Sequence, residues 1–106
     1  MKVHIANLAN DGSGKRMKAR FYNTDGDLTK TIKFGYRDRK TGKPGSTYPD
    51  HKDKQTMLNY IARHKVNEDW SSPYSAGSLS RWVLWSKPDL QEGKKAYAKR
   101  YGLDLI

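Results

Sequence analysis

Apolar and polar residues alternate along the first third of the chain, which is the pattern of half-buried β-strands. Residues 16–23 and 28–34 follow this alternation, and the Asp25-Gly26 pair between them can supply the positive φ of a tight hairpin turn. Residues 2–9 predict a shorter preceding strand that breaks early. The positions assigned to the buried face of the hairpin are Met17, Ala19, Phe21, Leu28, Ile32 and Phe34. An antiparallel hairpin or small sheet is therefore expected at the N-terminus.

Helical spacing replaces this alternation in the second half of the chain. Asp50 and Asp53 are both able to cap the free N–H groups of a first helical turn, and the helix should run to about Lys65. Its apolar stripe is predicted to contain Met57, Leu58, Tyr60 and Ile61. The spacing thus predicts an amphipathic helix with one buried side.

Two further helices are predicted near the C-terminus. The first of them should begin at Ser75 or Ser78 and end before Pro88. Asp89 can cap the next helix, which should run to about Tyr101. The positions expected on their buried sides are Leu79, Trp82, Val83, Leu90, Tyr97 and Tyr101.

The segment between the hairpin and the helices, residues 35–49, is rich in glycine, proline and cations. We expect a long exposed loop that is either a disordered connector or a segment in contact with a partner. The chain is therefore predicted to be a single α+β domain. Its parts are a strand and hairpin arm (1–34), the basic loop, and a region of three short helices (50–106).

Charge narrows the kinds of partner. The 106 residues carry a formal net charge of +10, which is spread along the chain rather than gathered in one run. Such a charge favours phosphate backbones or acidic protein surfaces, although a solvated basic surface would have the same composition. The chain has no cysteine, which excludes disulfides and thiolate metal sites. No apolar run is long enough to cross a bilayer, so no membrane insertion is expected.

None of the patterns typical of catalysis or cofactor binding is complete. Residues 12–15 are similar to a phosphate loop, but Ala9 stands where that loop needs glycine and Arg16 where it needs Ser or Thr. His51 and His64 are too far apart to match the spacing of metal ligands on one helix. No serine occupies a nucleophile elbow. We expect no enzyme activity, no cofactor and no metal.

The tryptophans allow two interpretations. Trp70, Trp82 and Trp85 could stack on bases while neighbouring cations hold phosphates. Alternatively, about two of them belong to the core of this small domain and the third closes it from outside. Arg81 could then join the helices through a bidentate link to a carboxylate of residues 68–69.

A longer motif extends from the His51-Lys52-Asp53 segment to Pro88. Its later parts read Tyr-Ile-Ala-Arg-His-Lys, Glu-Asp-Trp, Ser-Ala-Gly and Arg-Trp-Val-Leu-Trp-Ser-Lys-Pro. The motif resembles a family of small basic proteins of large eukaryotic double-stranded DNA viruses, including algal and mimivirus-like viruses. The residues that carry the resemblance are His51, Lys52, Tyr60, Arg63, His64, Trp70, Gly77, Arg81, Trp82, Trp85 and Pro88. The chain departs from the family pattern at Asp69, Ser75 and Ser86, where the family has Asn, Thr and Asn.

The resemblance implies a setting rather than a mechanism, because the family has no assigned activity. We expect a non-enzymatic minor structural protein of a large DNA virus particle, assembled in the host cell interior. It would be associated with the capsid and would bridge or cement neighbouring virion proteins such as the major capsid protein. A ribonucleoprotein component would share the charge but not the resemblance.

The alternative function is that of a basic nucleic-acid-binding or genome-packaging protein. The candidate contacts with a partner or with nucleic acid are Lys15, Arg16, Lys18, Arg20, Lys30, Lys33, Arg37, Arg39, Lys40 and Lys43. One continuous basic face would favour nucleic acid, whereas cations scattered around apolar anchors would favour protein partners.

Overall fold

A four-stranded mixed sheet forms one layer of the computed structural model, which describes residues 1–106. Its strand order is β3-β2-β1-β4. Strands β1 (Lys2–Asn7), β2 (Met17–Tyr22) and β3 (Leu28–Phe34) are antiparallel neighbours, and β4 (Asp104–Leu105) lies parallel to β1. The predicted α+β class and N-terminal hairpin are confirmed.

The turn between β2 and β3 forms at the predicted Asp-Gly pair. Gly26 has a φ of +86°, a conformation that a side chain would disfavour. The side-chain oxygen of Asn23 accepts hydrogen bonds from the backbone N–H groups of Asp25 and Asp27 at 3.0 and 2.9 Å. Local side-chain chemistry thus fixes this turn.

The predicted inward position of Leu28 is wrong. A register shift between Phe21 and Tyr22 places Leu28 opposite Tyr22, where its side chain is 54% exposed. Lys30 lies before this shift and pairs with the buried Phe21 in the regular register, so only Leu28 changes sides. A β-bulge of this kind reverses which side chains face the core.

Five helical segments lie between β3 and β4 in the sequence. They are α1 (Tyr48–His51), α2 (Lys54–His64), α3 (Ala76–Leu79), a π-helix (Ser80–Leu84) and α4 (Leu90–Tyr101). The predicted first helix is therefore divided in two, and the predicted second helix changes to π-helical geometry after its first turn.

Of the two predicted carboxylate caps, Asp53 is the N-cap of a helix, whereas the N-cap of α1 is Thr47 and Asp50 is the acidic residue of its capping box. Asp53 accepts a hydrogen bond from the backbone N–H of Gln55 at 3.0 Å and caps α2. Asp50 is in the first turn of α1 and accepts one from the N–H of Thr47 at 2.8 Å. Between the two helices, Lys52 has a left-handed φ of +57°. The His-Lys-Asp part of the motif is therefore a helix junction.

The later helices begin and end at predicted residues. Ser75 Oγ accepts a hydrogen bond from the N–H of Ser78, and the Asp89 carboxylate accepts one from the N–H of Glu92. Gly102, with a φ of +67°, terminates α4. Pro88 is exposed immediately before the Asp89 cap.

The core lies between one face of the sheet and the helical layer. Its buried side chains are Val3, Ile5, Met17, Ala19, Phe21, Phe34, Leu79, Val83, Leu84 and Tyr97. In α2, Met57 and Tyr60 are buried but Leu58 is 45% exposed, so the buried stripe of this helix is narrower than predicted. A β-carbon at Gly93 would overlap the carbonyl oxygen of Val83, which shows how closely α4 approaches the π-helix.

The basic loop folds back onto the chain instead of extending into solvent. Arg37 and Pro44 form an isolated β-bridge, and Thr47 and Tyr48 are only 6% and 9% exposed. The expectation of a fully exposed loop over residues 35–49 is therefore wrong for its C-terminal end.

Candidate binding surfaces

A cleft of about 460 Å³ opens between the loops that follow β1 and β3 and the helices α2 and α3. The motif residues that line it are Tyr60, Arg63, His64, Gly77 and Trp85. Lys15, Tyr36 and Glu68 also contribute to its walls. The tertiary fold thus brings separate parts of the motif to one place.

Stacked aromatic rings form one wall of this cleft. The Tyr60 ring lies 4.2 Å from the Trp85 ring at an interplanar angle of 5°, and 4.1 Å from the His64 ring. His51 continues the series, 5.5 Å from Trp85. Because Tyr60 has aromatic neighbours at Trp85 and His64, its ring is occupied by intramolecular stacking. Burial, followed by the charge of Glu68, raises the pKa of Tyr60 to about 12.

Glu68 joins three parts of the motif at the base of the cleft. Its carboxylate accepts a hydrogen bond from the Trp70 ring N–H at 2.8 Å and lies 3.3 Å from Nδ1 of His64. A β-carbon at Gly77 would lie 3.3 Å from the carboxyl carbon and one oxygen of Glu68, so a side chain there would crowd the carboxylate. The motif glycine is explained by this close approach.

The predicted link between Arg81 and the carboxylates of residues 68–69 is wrong. The guanidinium carbon of Arg81 instead lies 4.3 Å from the ring centroid of Trp82 and 5.5 Å from that of Trp70. One of its nitrogens donates to the carbonyl of Trp85 at 3.4 Å. Burial without a carboxylate partner lowers the pKa of Arg81. A cation–π contact therefore replaces the ion pair.

None of the three tryptophans is fully buried. Trp82 and Trp85 pack against the core from outside, and Trp70 is held through its ring N–H and through its carbonyl, which accepts a hydrogen bond from the Tyr101 hydroxyl at 2.6 Å. Each ring thus has neighbours within the chain, at the edge of the core for Trp82 and Trp85 and at Glu68 and Arg81 for Trp70.

Two of the predicted contact cations are used inside the fold. The Arg16 side chain is 12% exposed and donates to the carbonyl of Gly45 at 2.6 Å and to Asp50 at 3.0 Å. Arg37 donates to the carbonyls of Leu8 and Gly42. These guanidinium groups hold the basic loop against the sheet.

The other predicted cations are distributed over several surfaces. Lys30 lies over the Tyr74 ring at 5.2 Å, and Lys33 forms an ion pair with Asp11 at 2.7 Å. Lys15 lines the cleft, whereas Arg39 donates to the carbonyl of Ser13. The remaining predicted cations are Lys40 and Lys43 on the exposed loop, and Lys18 and Arg20 on the sheet. Lys18, Arg20 and Lys33 share one face of the sheet, and the other predicted cations do not join them in one cluster.

Lys18 and Arg20 belong to a basic sheet surface of which only these two residues and Lys33 were predicted from the sequence. They alternate with buried residues of β2 and so lie on the sheet face opposite the core, next to Tyr22. Lys2 and His4 occupy the same face on β1. The signal that could have identified them is the alternation of β1, where Val3 and Ile5 are buried.

No group of three or more His, Asp and Glu residues is placed to hold a metal ion. None of the helices is long and apolar enough to span a membrane.

Comparisons with models of protein families, with curated proteins and with solved structures found no match. The resemblance to viral proteins therefore stays a prediction.

Proposed function

We propose that this chain is a non-enzymatic structural protein of a large double-stranded DNA virus particle. It is associated with the capsid and bridges neighbouring virion proteins such as the major capsid protein. The observation that carries the proposal is the distribution of cations over both layers of the fold. A protein that is basic on two opposite sides can contact two acidic surfaces at once.

The two basic sides follow from the burial pattern. In the sheet layer, Lys18 and Arg20 flank the buried Ala19 and point away from the core. In the helical layer, Lys95 and Lys99 are exposed and lie two residues on either side of the fully buried Tyr97. Because two residues correspond to about 200° around a helix, these lysines point away from the sheet.

Exposed apolar side chains accompany the cations. Tyr36 is 65% exposed and Val66 is 74% exposed, and Leu28 and Leu58 are about half exposed. Protein interfaces combine apolar and aromatic anchors with a polar rim. Cations scattered around such anchors favour protein partners, and the motif resemblance supplies the virion setting.

Cross-linking in intact virus particles that contain the chain tests this proposal. An amine-reactive cross-linker followed by mass spectrometry should join lysines of both layers, Lys18 or Lys33 and Lys95 or Lys99, to capsid proteins. Cross-links to capsid proteins from the lysines of only one layer would contradict the bridging role. Absence of the chain from purified particles would contradict the virion assignment.

A further inference from the structure

The sheet face opposite the core is a second candidate surface, which we call the open face. It is formed by the β1 and β2 side chains that alternate with core residues and by their partners on β3, and the exposed Leu28 lies on it opposite Tyr22. None of these residues is buried, and the core residues all belong to the opposite side. No other element of the fold therefore covers this face.

Strand register arranges the open face in rows. Arg20 is the central residue, paired with His4 on β1 and Thr31 on β3. Lys18 is paired with Lys33 on one side of this row. Since adjacent strands are about 4.8 Å apart and alternate residues about 6.6 Å apart, these cationic groups form one patch.

Most of this charge is not neutralised within the chain. None of the ion pairs in the structure includes Lys2, Lys18 or Arg20. Lys33 is paired with Asp11, and Asp104 on β4 faces Lys2 across the edge of the sheet. The centre of the open face therefore has cations without carboxylate partners.

An aromatic ring lies next to this charge. Tyr22 is the last residue of β2, partly exposed, and is paired with Lys2 on the open face. Arginine, lysine and tyrosine together on an uncovered sheet fit single-stranded nucleic acid, because the cations hold phosphates while the ring stacks on a base. An acidic protein would use the cations but would not need the ring.

We propose that the open face binds single-stranded nucleic acid through Lys2, Lys18 and Arg20, with a base stacked on Tyr22. This activity goes beyond the bridging role, because it needs only one layer of the fold and adds a second ligand for Lys18 and Arg20, the cations that the bridging role directs to an acidic protein surface. It also assigns nucleic-acid contact to residues other than Arg16, Arg37 and Lys30, whose side chains are engaged within the chain.

A matched pair of charge variants tests the cationic part. The double variant Lys18→Gln with Arg20→Gln removes two charges from the open face, and Lys95→Gln with Lys99→Gln removes two from α4. Binding to a fluorescein-labelled oligothymidylate is followed by anisotropy over a sodium chloride series. The plot of log K against log salt has a negative slope, and each single-strand phosphate contact contributes about 0.7 to its magnitude. The first variant loses two contacts and should therefore make the slope shallower by about 1.4. The second should leave the slope nearly unchanged.

If the salt slope becomes shallower by the same amount in the two double variants, the proposal is overturned, because net charge alone would then attract the oligonucleotide. Failure of the wild-type chain to bind near physiological salt would do the same. If a thermal melt shows that the Lys18→Gln, Arg20→Gln variant is unfolded at the assay temperature, the single variant Lys2→Gln replaces it, since Lys2 is an exposed residue of β1. Its salt slope should be shallower than that of the wild type by about 0.7.

Replacement of Tyr22 distinguishes nucleic acid from an acidic protein partner. The Tyr22→Leu variant should weaken oligothymidylate binding about tenfold, since stacking on one aromatic ring contributes roughly that much. Binding to polyglutamate should not change. An equal loss for both ligands, or no loss for either, would contradict base stacking. These results are independent of cross-linking in particles, so failure of one proposal leaves the other standing.

Discussion

At the scale of single residues, Arg16 explains why a basic sequence segment need not be a basic surface. Its guanidinium group donates to Gly45 and Asp50 and is largely removed from solvent. Sequence alone could identify the cation but not its acceptors, because these lie far along the chain. Lys30, by contrast, remains exposed but lies on the helix side of the sheet, because it pairs with the buried Phe21 in the regular register of β2 and β3.

We expect Arg16→Gln to lower the free energy of unfolding by about 1–3 kcal/mol, because it leaves buried or charged acceptors without their donor. Urea denaturation measures this loss. The control is Arg39→Gln, since Arg39 is exposed and makes one hydrogen bond to Ser13, and it should change stability by less than about 0.5 kcal/mol. Similar losses in both variants would show that the Arg16 contacts do not stabilise the fold.

Gly93 permits a second prediction at this scale. A methyl group at this position would overlap the Val83 carbonyl oxygen, so Gly93→Ala must displace α4 from the π-helix. We expect a loss of about 1–3 kcal/mol in unfolding free energy, although alanine is the better helix former. Gln91→Ala, at an exposed position of the same helix, is the control and should have little effect. A Gly93→Ala protein as stable as the wild type would contradict the close approach.

At the scale of elements, local signals placed most helix ends but not the helix type. Ser75, Asp53 and Asp89 cap the helices because each carboxylate or hydroxyl reaches N–H groups two or three residues ahead. The π-helix over 80–84 and the parallel strand β4 have no comparable local signal. The geometry of the π-helix depends on its packing against α4, and that of β4 depends on its pairing with β1.

Asp50, in the capping box of α1, gives a pH prediction. Burial alone would raise the pKa of Asp50, but hydrogen bonds from Arg16 and Thr47 outweigh it and lower the pKa overall. A carboxylate whose pKa is lowered by folding contributes stability above its unfolded pKa of about 3.9, and this is lost as the pH falls through the folded value. Asp50→Asn should therefore melt below the wild type at neutral pH, and the difference should shrink below about pH 4. A difference that is independent of pH would contradict this role.

At the scale of the whole molecule, the charge is poorly balanced. The chain carries +10, and the structure contains four ion pairs, one of which needs a protonated histidine. Like charges therefore repel across both layers of the fold, which destabilises the compact state when the protein is alone. Acidic partners on either side would relieve this repulsion.

We expect the melting temperature to rise when sodium chloride is increased from about 10 mM to about 150 mM, since the Debye length falls from about 30 to about 8 Å. Calorimetry measures the change. The variant Lys95→Glu with Lys99→Glu, which lowers the net charge, should respond less. A melting temperature that falls with salt would indicate that the ion pairs outweigh the repulsion.

Features whose causes lie within a few residues could be read from the amino-acid sequence. These are the strand alternation, the Asp-Gly turn, the helix caps and the overall positive charge. Three other features required the folded chain: which cations have no partner within the chain, how the motif residues meet at the cleft, and which sheet face remains open. The physical reason is that burial, cation–π contacts and long-range hydrogen bonds depend on segments that are distant in sequence, as Arg81 beside Trp70 and Arg16 beside Gly45 illustrate.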